Sequence, residues 1–210
     1  MNMPQPPAGG GLSPAAAWSQ RVRKVGGYIQ LAFAAFWLIR GSLIIGGGTG
    51  TVLAGAALVL VTAILAYAIR FTAGTGRRPT SPQAKAIERS VTAATIIELV
   101  ASFGFPFIVI AIGHSDWVLP SIAITIGPLL LWLDHLVHIP RYRPVGWALT
   151  VGPVILVVTM SGSALAATTG LAAGALLLGT AAAGFRDLAG MRPGRSPKPK
   201  PRPARLSPQA

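Results

Sequence analysis

Residues 51–69 read TVLAGAALVLVTAILAYAI, a run of nineteen residues without a charge or a proline. An α-helix rises about 1.5 Å per residue, so this run is nearly as long as the roughly 30 Å hydrocarbon core of a bilayer is thick. It lacks the alternation of polar and apolar residues that marks a barrel strand. The segment therefore predicts a helix that crosses a membrane, where every backbone polar group must be satisfied internally.

Five more segments pass the same test of length and apolarity. The six predicted spans are 28–45, 51–69, 91–112, 119–139, 145–160 and 164–184. The whole chain of 210 residues is 52% hydrophobic and 11% charged, with a mean hydropathy of +0.60. Soluble domains carry about 25% charged residues, so a water-soluble globule is excluded. We predict an all-α fold, a six-transmembrane-helix bundle over residues 25–185.

Basic residues are distributed unequally between the two sides of the predicted bundle. The chain holds 18 Lys and Arg residues, and 17 of them fall in the terminal segments or in the connections 70–90 and 140–144. The connections 46–50, 113–118 and 161–163 hold none, and Arg40 lies within the first span. Positive loops stay cytoplasmic, so the pattern predicts an N-in/C-in protein with both termini cytoplasmic. A composition rich in Ala, Gly, Arg and Pro suggests a bacterial inner membrane.

The segments outside the bundle are polar or of low complexity. Residues 1–24 are predicted to be a cytoplasmic, partly disordered segment, with a helix from Pro14 that lies on the membrane surface or runs into the first span. Ser81-Pro82 likewise predicts that the third helix begins at Pro82.

Residues 186–210 are predicted to form a disordered, basic, proline-rich tail. This tail is either a topology anchor or a segment attracted to anionic lipid headgroups, at about 1 kcal/mol per basic residue. Nucleic acid is excluded as a partner, because the charge is spread over every inner connection and no aromatic stacking motif accompanies it.

Ionisable residues within the spans are the candidate functional residues, since such groups are costly in lipid and need partners. Counting along the helices places Glu98, Asp134 and His135 at one level, with Arg40 leaning toward it. Three interpretations stay open. The residues form a buried network that includes an Arg40–Glu98 pair, or they relay protons or cations, or Glu98, Asp134, His135 and His138 bind a metal.

Prolines and glycines predict the shape of the helices. Pro106, Pro128 and Pro153 lie within spans three, four and five and predict kinks, because each removes a backbone donor. Gly170 and Gly174 form a close-approach motif that packs within the chain or forms a homodimer seam. We interpret residues 46–50, which are glycine-rich, as a flexible hairpin turn.

The sequence offers little evidence of enzymatic chemistry. No cysteine is present, and hydrolase and phosphate-loop motifs are missing, so no cofactor is expected and an enzyme is not favoured. We predict an integral membrane protein that acts as a proton- or cation-coupled small-solute transporter. A structural or accessory membrane protein is the alternative, and a metal-dependent membrane enzyme is the third interpretation.

Residues 131–154, LWLDHLVHIPRYRPVGWALTVGPV, resemble a stretch of small bacterial polytopic membrane proteins of unassigned function. In those proteins a histidine ends one helix and a short polar hairpin leads to a glycine-containing helix. His135 and Gly152 are the matching positions, whereas Asp134 departs from a pattern that prefers Gly there. The resemblance covers about a tenth of the chain and implies a six-helix membrane fold but no activity.

Overall fold

The computed structural model describes residues 14–75 and 82–191, and every element in these ranges is helical. The six α-helices are α1 (Pro14–Ile45), α2 (Gly47–Phe71), α3 (Pro82–Ala111), α4 (Val118–Val137), α5 (Tyr142–Thr159) and α6 (Gly162–Gly190). A short 3-10 helix, Ser115–Trp117, precedes α4. The prediction of six helices long and apolar enough to cross a membrane is confirmed.

The helix ends refine the predicted boundaries. Helix α1 is continuous from Pro14, so its first turns run into the first span, and α3 begins at Pro82 as predicted. The predicted start of the tail at residue 186 is wrong, because α6 continues to Gly190 and Leu188 is fully buried. The remaining tail, 192–210, and the first thirteen residues lie outside the described residues, as does the headgroup contact predicted for that tail.

The turn between α1 and α2 is shorter than predicted. Only Gly46 separates the two helices, and Gly46 and Gly47 have φ of 73° and 59°, a left-handed region that favours glycine. A Cβ on Gly50 would lie 2.4 Å from the carbonyl oxygen of Ser42. These glycines therefore allow a close approach of two helices and do not form a flexible loop.

Helices α1 and α6 make the most extensive helix pair, and glycines let their backbones touch. A Cβ on Gly170 would lie 2.8 Å from the Cα of Gly41, and one on Gly174 would lie 2.6 Å from the Cγ of Leu38. Trp37 of α1 and Phe185 of α6 are both fully buried in the core. Of the two interpretations of the Gly170–Gly174 motif, packing within the chain is therefore the one observed.

The other helices are arranged around this central pair. Helices α4 and α5 form a second pair, in which a Cβ on Gly127 would lie 2.7 Å from the carbonyl oxygen of Gly146. Helix α2 packs mainly on α1, and α3 packs mainly on α4. Helices α3, α4 and α5 continue through Pro106, Pro128 and Pro153, and the kinks stay a prediction.

Short connections make successive helices antiparallel, which gives the bundle two distinct ends. The basic end contains the starts of α1, α3 and α5 and the ends of α2, α4 and α6. There, Lys24 Nζ donates hydrogen bonds to the carbonyl oxygens of Thr72 and Thr75, at 3.0 and 3.1 Å. At the opposite end, the Asp116 carboxylate accepts a 3.0 Å hydrogen bond from the backbone N–H of Gly162.

Large apolar side chains cover much of the outer surface of the bundle. Val59 on α2 is 70% exposed, Phe107 on α3 is 72% exposed and Val158 on α5 is 81% exposed. Monomeric soluble proteins rarely expose continuous apolar surfaces beyond a few hundred Å². This surface therefore requires an apolar environment or a covering partner.

Candidate functional site between α1, α3 and α4

Glu98 occupies the middle of α3 and is half-buried on the side of the helix that meets α4. Its Oε1 accepts a 2.9 Å hydrogen bond from the hydroxyl of Ser102, which lies one turn later on the same helix face. The Ser102 oxygen is 2.6 Å from Thr125 Oγ1 of α4, and Thr125 also lies 2.8 Å from the carbonyl oxygen of Ile122. A continuous row of oxygen atoms, which we call the hydroxyl chain, therefore joins Glu98 to α4.

Two cavities meet at Glu98. The basic-end cavity has a volume of about 340 Å³ and lies between α1, α3 and α4, with Trp18, Arg21 and Glu88 near the basic end. Ten residues of α3 separate Glu88 from Glu98, so this cavity extends about 15 Å along the helix. The lateral cavity, of about 620 Å³, lies on the other side of the α3–α4 contact. Glu98 and Leu129 line both cavities, so one carboxylate lies at the boundary between them.

The wall of the lateral cavity includes a residue whose backbone acceptor has lost its helical donor. Proline has no N–H, so Pro128 leaves the carbonyl oxygen of Ile124 without its usual donor in α4. Both residues line the lateral cavity together with Glu98 and Thr125. The polar groups around Glu98 therefore mostly accept hydrogen bonds or attract positive charge.

The walls of the basic-end cavity are mostly apolar, and besides Glu98 and two threonines their polar residues are Arg21, Gln30, Glu88 and Tyr142. Phe33, Leu99 and Leu133 are among its apolar lining residues. The hydroxyls of Thr92 and Thr95 donate hydrogen bonds to carbonyl oxygens of α3 itself, at 2.8 and 2.9 Å. The cavity therefore offers a ligand a mainly apolar surface, with the carboxylate of Glu98 at its deep end and with Arg21 and Glu88 near the basic end.

The other ionisable residues predicted from the sequence lie outside both cavities. Asp134 is half-buried and His135 is exposed near the end of α4, and neither makes a side-chain hydrogen bond or ion pair with a described residue. His138 is exposed and ends α4 with φ of 52°. It therefore lacks the helical conformation on which the predicted ligand spacing of Asp134, His135 and His138 depends. The predicted convergence of these residues with Glu98 is not observed.

The predicted Arg40–Glu98 pair and the predicted metal site are likewise not formed. Arg40 is exposed on a stripe of α1 that includes Phe36 and Leu43, five residues before the helix ends, and it contacts no described acid. Across residues 14–75 and 82–191, no three His, Asp or Glu side chains are close enough to hold a metal ion. Glu98, Asp134, His135 and His138 therefore supply no metal centre there.

An ion-pair cluster that the sequence did not predict lies at the basic end. The Asp187 carboxylate of α6 pairs with Arg23 of α1 at 3.5 Å and with Arg141 of the α4–α5 turn. Burial lowers the pKa of Arg141 below its ordinary value, and the positive charge of Arg23 lowers it further. The cluster ties three parts of the chain together and lies apart from Glu98. Its sequence signal is that Asp187 is the one acid within residues 162–210.

No family model, no curated protein and no solved structure matches this chain.

Proposed function

We propose that the chain is a multi-pass protein of the bacterial inner membrane with both termini in the cytoplasm. The support is twofold. The apolar outer surface of α2, α3 and α5 suits acyl chains, and 17 of the 18 basic residues belong to segments at or beyond the basic end. In this arrangement the basic-end cavity faces the cytoplasm and Glu98 lies within the membrane-spanning part of α3.

Within that membrane protein, we propose proton-coupled transport of a small solute. The observation that carries the proposal is that Glu98 lines both cavities. An acid at membrane depth is costly unless it serves a pathway or has a partner, and its only described hydrogen-bond partner is the neutral hydroxyl of Ser102.

The hydroxyl chain has fewer hydrogens than contacts, which supports proton binding at Glu98. The chain contains three oxygen–oxygen contacts, but Ser102 and Thr125 supply two hydroxyl hydrogens. With Glu98 ionised, one of the three contacts lacks a hydrogen. With a proton on Glu98, Glu98 donates to Ser102, Ser102 donates to Thr125, and Thr125 donates to the Ile122 carbonyl. Proton binding at Glu98 thus reverses the direction of the Ser102–Thr125 hydrogen bond between α3 and α4 and adds the hydrogen bond from Thr125 to Ile122 within α4.

This link couples the proton to helix position. Helix α3 packs mainly on α4, so a change in the hydrogen bonds of the hydroxyl chain acts at the main contact of α3. A site whose occupancy changes the relative stability of two helix arrangements shifts the population between them. Such a shift is what a transporter needs in order to open one cavity and then the other.

A structural role is the second candidate, favoured by the Ser102–Thr125 contact because it joins two helices. In that case the Glu98–Ser102–Thr125 chain holds α3 on α4 and moves no proton. The described part of the chain gives a metal-dependent enzyme no support, since no three potential ligands converge there.

Purified protein in proteoliposomes with an imposed pH gradient separates the two candidates. We expect solute-dependent dissipation of the gradient with the natural chain and its loss with Glu98→Gln. Asp134→Asn is the matched control, because Asp134 is half-buried but lines neither cavity, and it should retain the activity. If Glu98→Gln lowers only the thermal stability in detergent and leaves the flux unchanged, the structural role replaces the transport proposal.

A further inference from the structure

The chemistry around Glu98 is selective for one class of ligand. Glu98 lines both cavities and Ile124, whose carbonyl oxygen lacks its helical donor, lines the lateral cavity, while the Thr92 and Thr95 hydroxyls are engaged within α3. Near the basic end, Arg21 and Glu88 supply one charge of each sign, but an anion at the deep end would meet the Glu98 carboxylate in an apolar wall and would be repelled. A sugar would lose hydrogen bonds to water that these walls do not replace.

We propose that the ligand of this site is a monovalent organic cation with an apolar body, and this inference rests on the proposed transport function. The charged nitrogen pairs with the Glu98 carboxylate, and the apolar body lies along Phe33, Leu99 and Leu133. Aromatic faces add to this preference, because they attract alkylammonium groups. Trp18 and Phe33 both line the basic-end cavity.

The volume of the basic-end cavity limits the size of this cation. Pockets for drug-sized ligands range from about 300 to 1,000 Å³. The basic-end cavity, at about 340 Å³, lies at the small end of this range. It therefore accepts a cation with one ring or a short branched chain and excludes large polycyclic cations.

Each cation that binds displaces one proton from Glu98, so the charges in the site balance. The proposal requires a ligand-free state with a proton on Glu98, in which the Glu98 O–H donates to Ser102 in place of the Ser102-to-Glu98 hydrogen bond described above. When the cation arrives, the O–H bond of Glu98 breaks, the proton goes to water, and the carboxylate pairs with the cationic nitrogen. One positive charge enters the site as one leaves, so its net charge is unchanged, and no ion is left unpaired in the apolar interior.

The test uses the full-length chain in lipid nanodiscs and benzyltrimethylammonium, whose charge is permanent. Calorimetric titration in two buffers of different ionisation enthalpy reports both affinity and proton release. We expect one proton released for each cation bound, and no binding of the charge-inverted control phenylmethanesulfonate. Glu98→Gln should weaken cation binding by about thirtyfold or more and abolish proton release, because it removes one partner of a desolvated charge pair.

Two further variants keep the outcome interpretable. Asp134→Asn should bind the cation as the natural chain does. Glu98→Asp keeps the acid one methylene shorter, so it should bind more weakly and still release a proton, even if Glu98→Gln fails to fold. Equal binding of cation and sulfonate, or cation binding without proton release, would overturn the inference.

The failure of transport and the failure of this inference give different results. Cation binding with proton release but no flux in proteoliposomes would overturn the transport proposal and leave the cation site in place. Flux of a neutral or anionic solute that depends on Glu98, with no cation binding, would support transport and overturn the cation as its ligand.

Discussion

His138 is a histidine in a backbone conformation that suits glycine. Its φ of 52° and ψ of 64° end α4, and its N–H donates a 2.9 Å hydrogen bond to the carbonyl oxygen of Asp134. A left-handed conformation costs a residue with a Cβ about 1 kcal/mol or more, and glycine adopts it freely. We expect His138→Gly to raise the stability by roughly 0.5–1 kcal/mol, measured by thermal unfolding in detergent micelles.

The same substitution at His135 is the matched control for this prediction. His135 is exposed and lies in the last turn of α4, where glycine is about 1 kcal/mol less favourable than a good helix former. His135→Gly should therefore lower the melting temperature while His138→Gly raises it. If both substitutions lower it equally, the His138 side chain contributes an interaction that outweighs its backbone strain.

Within the candidate site, the sequence predicted Glu98 but not the residues that contact it. Glu98 stands out as an acid in an apolar span, and Ser102 follows it at a spacing that shares its helix face. Thr125 contacts Ser102 through the register of α4 against α3, which depends on tertiary packing. Counting along helices placed Asp134 at the same level, but level does not determine which side of a helix faces a cavity.

At the scale of helices, close backbone contact makes the pairing of α1 with α6 specific. A Cβ on Gly170 would lie 2.8 Å from the Cα of Gly41 and 3.1 Å from the carbonyl oxygen of Trp37. Because both are backbone atoms, they cannot move aside by a change of rotamer. Overpacking of this kind costs about 1–3 kcal/mol. We expect Gly170→Ala to lower the melting temperature in detergent, since the helices must separate.

Gly179 provides the control on the same helix. A Cβ there would meet no atom within 4 Å, so Gly179→Ala should be neutral or stabilising by up to about 1 kcal/mol through helix propensity. Equal effects of the two substitutions would show that the α1–α6 contact is not limited by these glycines. A Gly170→Ala protein that keeps its stability but changes its oligomeric state would point to the dimer interface instead.

Apolar length predicted the helices well, and their ends less well. A bilayer-length run is a strong signal, so all six helices were predicted from composition alone. The ends depend on local contacts that hydropathy does not measure. Beyond its apolar run α6 continues to Gly190, and there Asp187 pairs with two arginines. Helix α5 starts at Tyr142 with Pro144 in its first turn, where proline is tolerated.

At the scale of the whole molecule, the charge pattern predicted which chain segments lie together. It grouped the start of α1, the end of α2, the α4–α5 turn and the end of α6 on one side. Lys24 reaches Thr72 and Thr75, and Arg23 and Arg141 share Asp187, so the contacts bring these four segments to one end. Helix pairing was less predictable, because small residues are common in several spans and many pairings could use them.

The side of the membrane that holds the basic end can be measured directly, because the chain contains no cysteine. Single cysteines introduced one at a time then report accessibility without a background signal. Ala73→Cys places a thiol at the basic end, and Ser163→Cys places one at the opposite end, both at exposed positions. Either substitution is small and should leave the helices in place.

The bias of basic residues predicts opposite labelling of these two thiols. A membrane-impermeant maleimide should label Ser163→Cys in intact bacterial cells and should label Ala73→Cys only after the membrane is permeabilised. Both should react in detergent, which controls for burial within the protein. Since moving a cationic segment through the bilayer is costly, the 17 basic residues should hold a single orientation. Labelling of Ala73→Cys in intact cells would reverse the orientation, and would place the basic-end cavity and its proposed cation site on the outer side.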